Sequence, residues 1–274
     1  MLQIFSSNGG IMTLYDNRFT TISLETLKTL SDIIDFPVCL CGGWAVYFTI
    51  NEIFKQKKKR DYIGSQDINI GFSLPPMMTK SELESTTLFK TIDLLESHGF
   101  QPEGFRYKKE IQINDQKTSK HHQTLDLFIL YVDILVNSYP PSLYDLHPNC
   151  FFEVPLIEKI YQDEKNQVQI PLISDDLFIP SRPLLTAMKI QSFPSRGQSH
   201  HKKIKDLCDL YSLLWFSKTS IHENINDVLS FTDTNSLKRV RNEIDNRLMM
   251  ECERYLGEPK GSLSTILNII DPYL

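Results

Sequence analysis

The sequence predicts a mixed α/β (α+β) fold, a mixed sheet with flanking helices, and three observations carry that prediction. Short apolar runs such as "PVCLC", "DINIGF" and "LDLFILYVDILV" alternate with amphipathic stretches up to about residue 180. Beyond that point the apolar residues recur at helical spacing. The 274 residues are enough to bury a sizeable core. The expected division is a core over residues 1–180 followed by a helical C-terminal subdomain over residues 181–274.

After a polar leader, Ser23 is the expected N-cap of a first helix carrying Leu24, Leu27, Leu30, Ile33 and Ile34 on one side. Pro37 ends it, since proline cannot continue a helical ladder. "PVCLC" then reads as a short buried strand, and Gly42-Gly43 opens a second helix over "WAVYFTINEIF". In the strand "DINIGF", Ile68, Ile70 and Phe72 take one face while Asp67 and Asn69 take the other. Pro75-Pro76 breaks the chain before one long helix around Leu83 to Ser97, closed by Gly99. "FRYKKEIQI" and "LDLFILYVDILV" read as a hairpin with the long loop "NDQKTSKHHQT". "NQVQIPLI" is a further strand, and Asp175-Asp176 reads as a turn. Ser181 is the expected N-cap of "RPLLTAMKIQSF", with Pro183 in its first turn. "KKIKDLCDLYSLLWF", a region around Leu237 to Arg254 and a short closing piece complete the helical part.

Composition narrows the function classes. Hydrophobic residues at 41% and charged residues at 23% are ordinary for a soluble globular protein. A net charge of −5 does not mark a dedicated nucleic-acid binder, although Lys55 to Arg60 packs five cations into six residues. That run reads either as a solvated loop or as a rim that attracts phosphate. Five scattered cysteines (Cys39, Cys41, Cys150, Cys208, Cys252) form neither a zinc spacing nor a disulfide framework. Cys39 and Cys41 are assigned to opposite faces of their strand. With no apolar run of membrane-spanning length and no signal-like start, the expected location is the cytoplasm, with no membrane partner.

Four features stand out chemically. Gly42-Gly43 lies between a strand and a helix, where small residues let a phosphate approach free N–H groups. Ser65 offers a hydroxyl two residues before Asp67. Asp67 and Asn69 project from one strand face, either toward water or toward a metal. Asp133 sits in the apolar run "LYVDILV", where a carboxylate needs a partner, a metal or a route to solvent. Transfer of a nucleotidyl group asks for such a set, because Mg²⁺ takes oxygen ligands and neutralises the triphosphate. Rival groupings are weaker. Asp126 lies seven residues before Asp133, so strict alternation puts it on the other face unless a bulge swaps their roles, and His121-His122 and His200-His201 are neighbours in polar loops.

The order Gly-Gly, Ser-x-Asp-Ile-Asn, then Asp in an apolar strand resembles the DNA polymerase β-type nucleotidyltransferase superfamily. The segment "LLTAMKIQSFPSRGQSHHKKIKDLCDLYSLL" resembles the Lys…Arg…Lys-Asp-Leu-x-Asp-Leu stretch of its AbiEii group, which holds abortive-infection and toxin–antitoxin nucleotidyltransferases. The likeness spans roughly residues 38 to 215 and rests on the motifs occurring in order. It implies a nucleotidyltransferase fold and transfer of a nucleoside monophosphate from an NTP to an acceptor hydroxyl, assisted by Mg²⁺ or Mn²⁺. Gly42, Gly43 and Ser65 would hold triphosphate oxygens. Asp67, Asn69 and Asp133 would be the catalytic metal positions, Asp133 also able to act as base. Lys189, with Arg196, would contact nucleotide phosphates, and Asp206 and Asp209 would either orient Lys189 or support helix packing. The implied acceptor is RNA, such as tRNA ends, or a protein hydroxyl, with a cognate antitoxin as a partner.

Two departures bear on this expectation. Asn69 stands where the family has its second aspartate, so metal affinity should fall, with one ion binding only as the triphosphate arrives. Ile63 stands where the family often has a basic residue. The alternative expectation is a catalytically lapsed nucleotide-binding or partner-binding protein on the same fold.

Overall fold

The computed structural model describes residues 13–113, 126–146, 151–170, 173–197 and 199–273. Helix α1 (Asn17–Ser31) starts earlier than Ser23 implies, because Asp16 caps it by accepting the Arg18 N–H at 2.9 Å. Ser23 lies in mid-helix on the buried side, where its Oγ accepts the Trp44 indole N–H at 3.0 Å. A serine that finds a donor on another element has no need to cap. Strand β1 (Val38–Cys41) is fully buried, as four consecutive apolar residues between two neighbouring strands require. Cys39 and Cys41 share a face rather than opposing, with sulfurs 3.7 Å apart, as residues two apart in a strand must.

Helix α2 (Gly42–Lys58) and strand β2 (Ile68–Phe72) follow as expected. The single helix expected to Ser97 is two, α3 (Lys80–Glu84) and α4 (Thr87–Ser97). Thr79 and Glu82 form a reciprocal capping box on α3, and the Thr86 hydroxyl donates to Leu83 O at 2.6 Å, closing α3 before α4 begins. Gly99, at φ 81°, ends α4. Strands β3 (Gln101–Glu103), β4 (Arg106–Ile113) and β5 (Asp126–Val136) are consecutive antiparallel partners. Residues 114–125, including His121-His122, lie outside the described residues, as do Cys150 and the side chain of Asp126.

Helix α5 (Pro141–Leu146), strand β6 (Phe152–Glu153), helix α6 (Ile157–Gln162) and strands β7 (Gln167–Ile170) and β8 (Ser174–Pro180) complete the sheet region. Asp175-Asp176 is not a turn but the start of β8; the chain reverses earlier, between the paired residues Ile170 and Ser174. The sheet order is β3-β4-β5-β2-β1-β8-β7, with β6 beside the far end of β5. β1 pairs parallel to β8 and β2 parallel to β5, the other pairs of that series being antiparallel, so the sheet is mixed. A register shift between Gln169 and Ile170 disturbs β7 at one edge, and Pro102 sits in β3 at the other.

From Arg182 onward the elements are helical: α7 (Arg182–Ser192), α8 (His200–Trp215), α9 (Ile221–Leu229), α10 (Thr234–Glu243), α11 (Asn246–Leu256) and α12 (Ser262–Ile270). Asp245 caps α11 by accepting the Leu248 N–H at 2.7 Å, which divides the region expected around Leu237 to Arg254. Helices α7 and α8 pack on α2. The cationic run is not a loop but mostly the last turn of α2, with Lys55, Lys57 and Lys59 exposed. Lys55, Lys57 and Lys58 finish α2, and Lys59 leaves it at φ 59°. Lys58 then pairs with Glu258 at 2.8 Å, and Arg60 donates to Tyr255 O at 2.6 Å. No helix among the described residues is long and apolar enough to cross a membrane.

Candidate active site at the start of helix α2

The site begins where β1 hands over to α2. Gly42 adopts φ 66°, and a β-carbon there would lie 2.8 Å from Asn69 Cγ, so both the turn and the close approach require glycine. A β-carbon on Gly43 would lie 2.8 Å from Ser65 Oγ and 3.6 Å from Lys205 Nζ. A hydroxyl, an amide and an ammonium therefore crowd the first turn of α2. The N–H groups of that turn have no partner within the helix.

The sheet places the three metal-position residues together. Asn69 on β2 is the cross-strand partner of Asp133 on β5, and Asp67 stands just before β2. Asp67 is half-buried and makes no hydrogen bond or ion pair with the described residues. Asp133 is 7% exposed and faces Arg106, its partner on β4. Arg106 Nη2 donates to Oδ2 at 3.1 Å, and Nε lies 3.0 Å from Oδ1, an ion pair with one hydrogen bond. Burial pushes the Asp133 carboxyl up to about 6; Arg106 opposes this and the nearby Asp67 charge adds to it.

The C-terminal helices bring a second group. Lys189 on α7 reaches Asp206 Oδ1 at 2.6 Å and Asp209 Oδ2 at 2.7 Å, both on α8. Arg196 closes on Asp206 at 2.5 Å, and Lys205 on Asp209 at 2.5 Å. Three cations against two carboxylates leave one net positive charge, buried except at Arg196, whose side chain is 32% exposed. Burial alone would raise the Asp206 carboxyl, but Lys189 and Arg196 hold it below the usual range. For Lys205 burial wins, and its ammonium is held below the usual lysine range despite Asp209. Tyr62, just before Ser65, donates its hydroxyl to Asp209 Oδ1 at 2.7 Å. Tyr15 packs edge-on against His201 at 4.8 Å, and its hydroxyl is pushed up by burial and then by the charges of Asp209, Asp67 and Asp206. Beside the loop carrying Ser65 lies a cavity of about 510 Å³ bordered by Tyr15, Trp44, Tyr47, Arg60 and Tyr62.

The structure thus gathers Gly42, Gly43, Ser65 and Asn69 at one helix end, and Asp67 and Asp133 beside them. Lys189, Arg196, Asp206 and Asp209 form the neighbouring ion cluster. Lys189 is fully engaged by its two carboxylates, whereas the ammonium that approaches α2 is that of Lys205. Sequence reasoning passed over Lys205, although its i,i+4 spacing to Asp209 was available as a signal. It also passed over Arg106, for which "FRYKK" offers no signal.

Among the described residues no three His, Cys, Asp or Glu side chains group as a metal cage. Asp67 with the Asn69 amide oxygen suits one divalent cation completed by ligand oxygens. The set does not fit a centre in which protein carboxylates hold two ions, since Asp133 is already paired.

No family model matches the chain, and no curated protein does. Among solved structures it is similar to an antigenic nucleotidyltransferase-like protein from Paracoccidioides brasiliensis. The match has 11% identity and a TM-score of 0.34, and covers 85% of this chain and 97% of that one. At that distance the likeness fixes neither the site nor its chemistry.

Proposed function

We propose that this protein is a nucleotidyltransferase, moving a nucleoside monophosphate from an NTP to an acceptor hydroxyl. The observation that carries the reading is the convergence of Ser65 Oγ and Lys205 Nζ on Gly43 at the start of α2. Only a hydrogen on Gly43 lets the Ser65 side chain and the Lys205 ammonium come this close to the helix end. In this reading the free N–H groups of Gly42 and Gly43, the Ser65 hydroxyl and the Lys205 ammonium hold the triphosphate. Asp206 and Asp209 orient Lys189 and Arg196 and leave the cluster one positive charge in excess. A Mg²⁺ or Mn²⁺ ion, when bound, neutralises triphosphate charge; Asp67 and Asn69 would hold it.

The transfer itself is an exchange at the α-phosphorus. The acceptor oxygen forms a bond to it, the bond to the bridging oxygen of the β-phosphate breaks, and pyrophosphate leaves. Asp133, its carboxyl raised to about 6, takes the acceptor proton on Oδ1, the oxygen that accepts no hydrogen bond from Arg106. The rest is positioning and charge complementarity.

For the acceptor, the AbiEii resemblance of the "KDLCDL" segment favours RNA, such as tRNA ends, or a protein hydroxyl, with an antitoxin as regulator. The test is label transfer from each α-labelled NTP, with Mg²⁺ or Mn²⁺, into total RNA and protein. Label that requires Asp67 supports transfer and identifies the acceptor class. Equal label with Asp67→Ala overturns it. Binding of NTP without label supports a second reading, a nucleotide-binding protein without transfer, which Asn69 and the Arg106–Asp133 pair favour.

A further inference from the structure

We infer that Arg106 is a built-in counter-ion for Asp133, standing where a second cation would stand, so that the site takes one divalent ion with its nucleotide rather than two. The ligand in this statement rests on the nucleotide reading above; the ion pair does not.

The placement is set by the sheet. Arg106 is the first residue of β4 and lies directly across from Asp133 in the β4–β5 register. Past that point β6 takes over beside Leu135 and Val136, so Arg106 is the last β4 residue able to reach the carboxylate. Its side chain is also fixed in orientation. The guanidinium lies 4.3 Å from the centre of the Tyr131 ring and 5.6 Å from that of Phe105, which leaves the fork aimed at Asp133. Oδ2 accepts from Nη2 at 3.1 Å, and Oδ1 lies 3.0 Å from Nε as a charge contact without hydrogen-bond geometry.

Charge counting gives the same answer. Asp67 and Asp133 contribute two negative charges, Asn69 none and Arg106 one positive, for a total of −1. Three carboxylates without the arginine would give −3. A second divalent ion about 3.5–4 Å from the first would face the guanidinium at close range. To bind Asp133 it would have to displace Arg106 and leave that cation unpaired in a partly buried position, which is unfavourable. Asp133 therefore needs no metal to be tolerated in the fold. Lys202, exposed on α8, is a further cation whose charge reaches Asp133.

The experiment counts Mn²⁺ per full-length chain by electron paramagnetic resonance, alone and with an α,β-methylene NTP analogue. Wild type is expected to hold one ion with the analogue. Arg106→Gln should hold one more than wild type in at least one condition, and Arg106→Gln combined with Asp133→Asn should lose that gain. Wild type holding two ions, or Arg106→Gln holding the same number as wild type in both conditions, would overturn the inference. Failure of the analogue to bind wild type would sink the nucleotide reading only, since the count with Mn²⁺ alone still compares the variants. If circular dichroism finds Arg106→Gln unfolded, Arg106→Lys decides the matter. A lysine keeps the charge but lacks the planar guanidinium that holds it in place over Tyr131, so Mn²⁺ should bind measurably tighter than to wild type. Unchanged affinity would overturn the inference.

Discussion

Tyr62 and Asp209 are joined by a 2.7 Å hydrogen bond between the phenol and Oδ1, tying the loop that carries Ser65 to helix α8. The same oxygen is 2.5 Å from Lys205 Nζ. Removing the hydroxyl deprives a buried carboxylate of one donor and frees the loop. Tyr62→Phe is expected to lower stability by about 1.5–3 kcal/mol, the usual range for a bond to a charged group. Urea unfolding measures this, and a variant as stable as wild type would show the bond to be dispensable.

Gly43→Ala tests the phosphate cradle. Its β-carbon would meet Ser65 Oγ at 2.8 Å and Ser65 Cβ at 2.9 Å, and rotating the serine relieves only the first. NTP affinity, by calorimetry, should fall about tenfold or more while unfolding stays cooperative. Gly42→Ala should also lose stability, since φ 66° adds backbone strain of about 1–2 kcal/mol. Gly104→Ala, at φ 62° with nothing within 4 Å, carries the strain alone and should leave affinity unchanged.

Acid stability should follow the Asp206 cluster. Its carboxyl is depressed in the folded chain, so the unfolded chain binds protons first as pH falls. Its contribution is then present above pH about 4 and is lost as pH drops through the folded value. Asp133 works in the opposite sense: raised to about 6, it favours the folded state below pH about 4 and loses that contribution as pH rises to about 6. Asp206→Asn should cost about 3–5 kcal/mol at neutral pH by leaving Lys189 and Arg196 undercompensated. Denaturant midpoints from pH 3 to 7 should also flatten at the acid end, and an unchanged profile would remove Asp206 from the account.

The cationic run at the end of α2 should behave as a clasp. Lys58 pairs with Glu258 and donates to Gly257 O at 2.9 Å, while Arg60 reaches Tyr255 O. Arg60→Ala is expected to destabilise the chain by about 1–2 kcal/mol with little change in NTP affinity or its salt dependence. A large fall in affinity at unchanged melting temperature would instead favour the phosphate-rim reading of this run.

What could be read from the sequence divides along physical lines. β1, β2 and β5 were legible because buried and half-buried strands leave a pattern in the chain itself. Asp67, Asn69 and Asp133 were legible as candidates for the same reason, since polar residues interrupt that pattern. Arg106 was not, because its meaning comes from register across a hairpin and from what ends beside it. Lys205 was hidden by its helix, where a lysine ordinarily faces water and only tertiary packing turns it toward Gly43. Ser23 and Asp175-Asp176 misled for one reason: a residue favoured at caps and turns also serves elsewhere once another element supplies its partner.

The two borders of the sheet also carry a consequence. β3 is a three-residue strand containing Pro102, which offers one N–H fewer, and β7 is interrupted between Gln169 and Ile170. Neither β3 nor β7 itself presents a long regular ladder of donors and acceptors for an incoming strand. Another copy of this chain that meets β3 or β7 thus finds only a short or interrupted template for continuing the sheet.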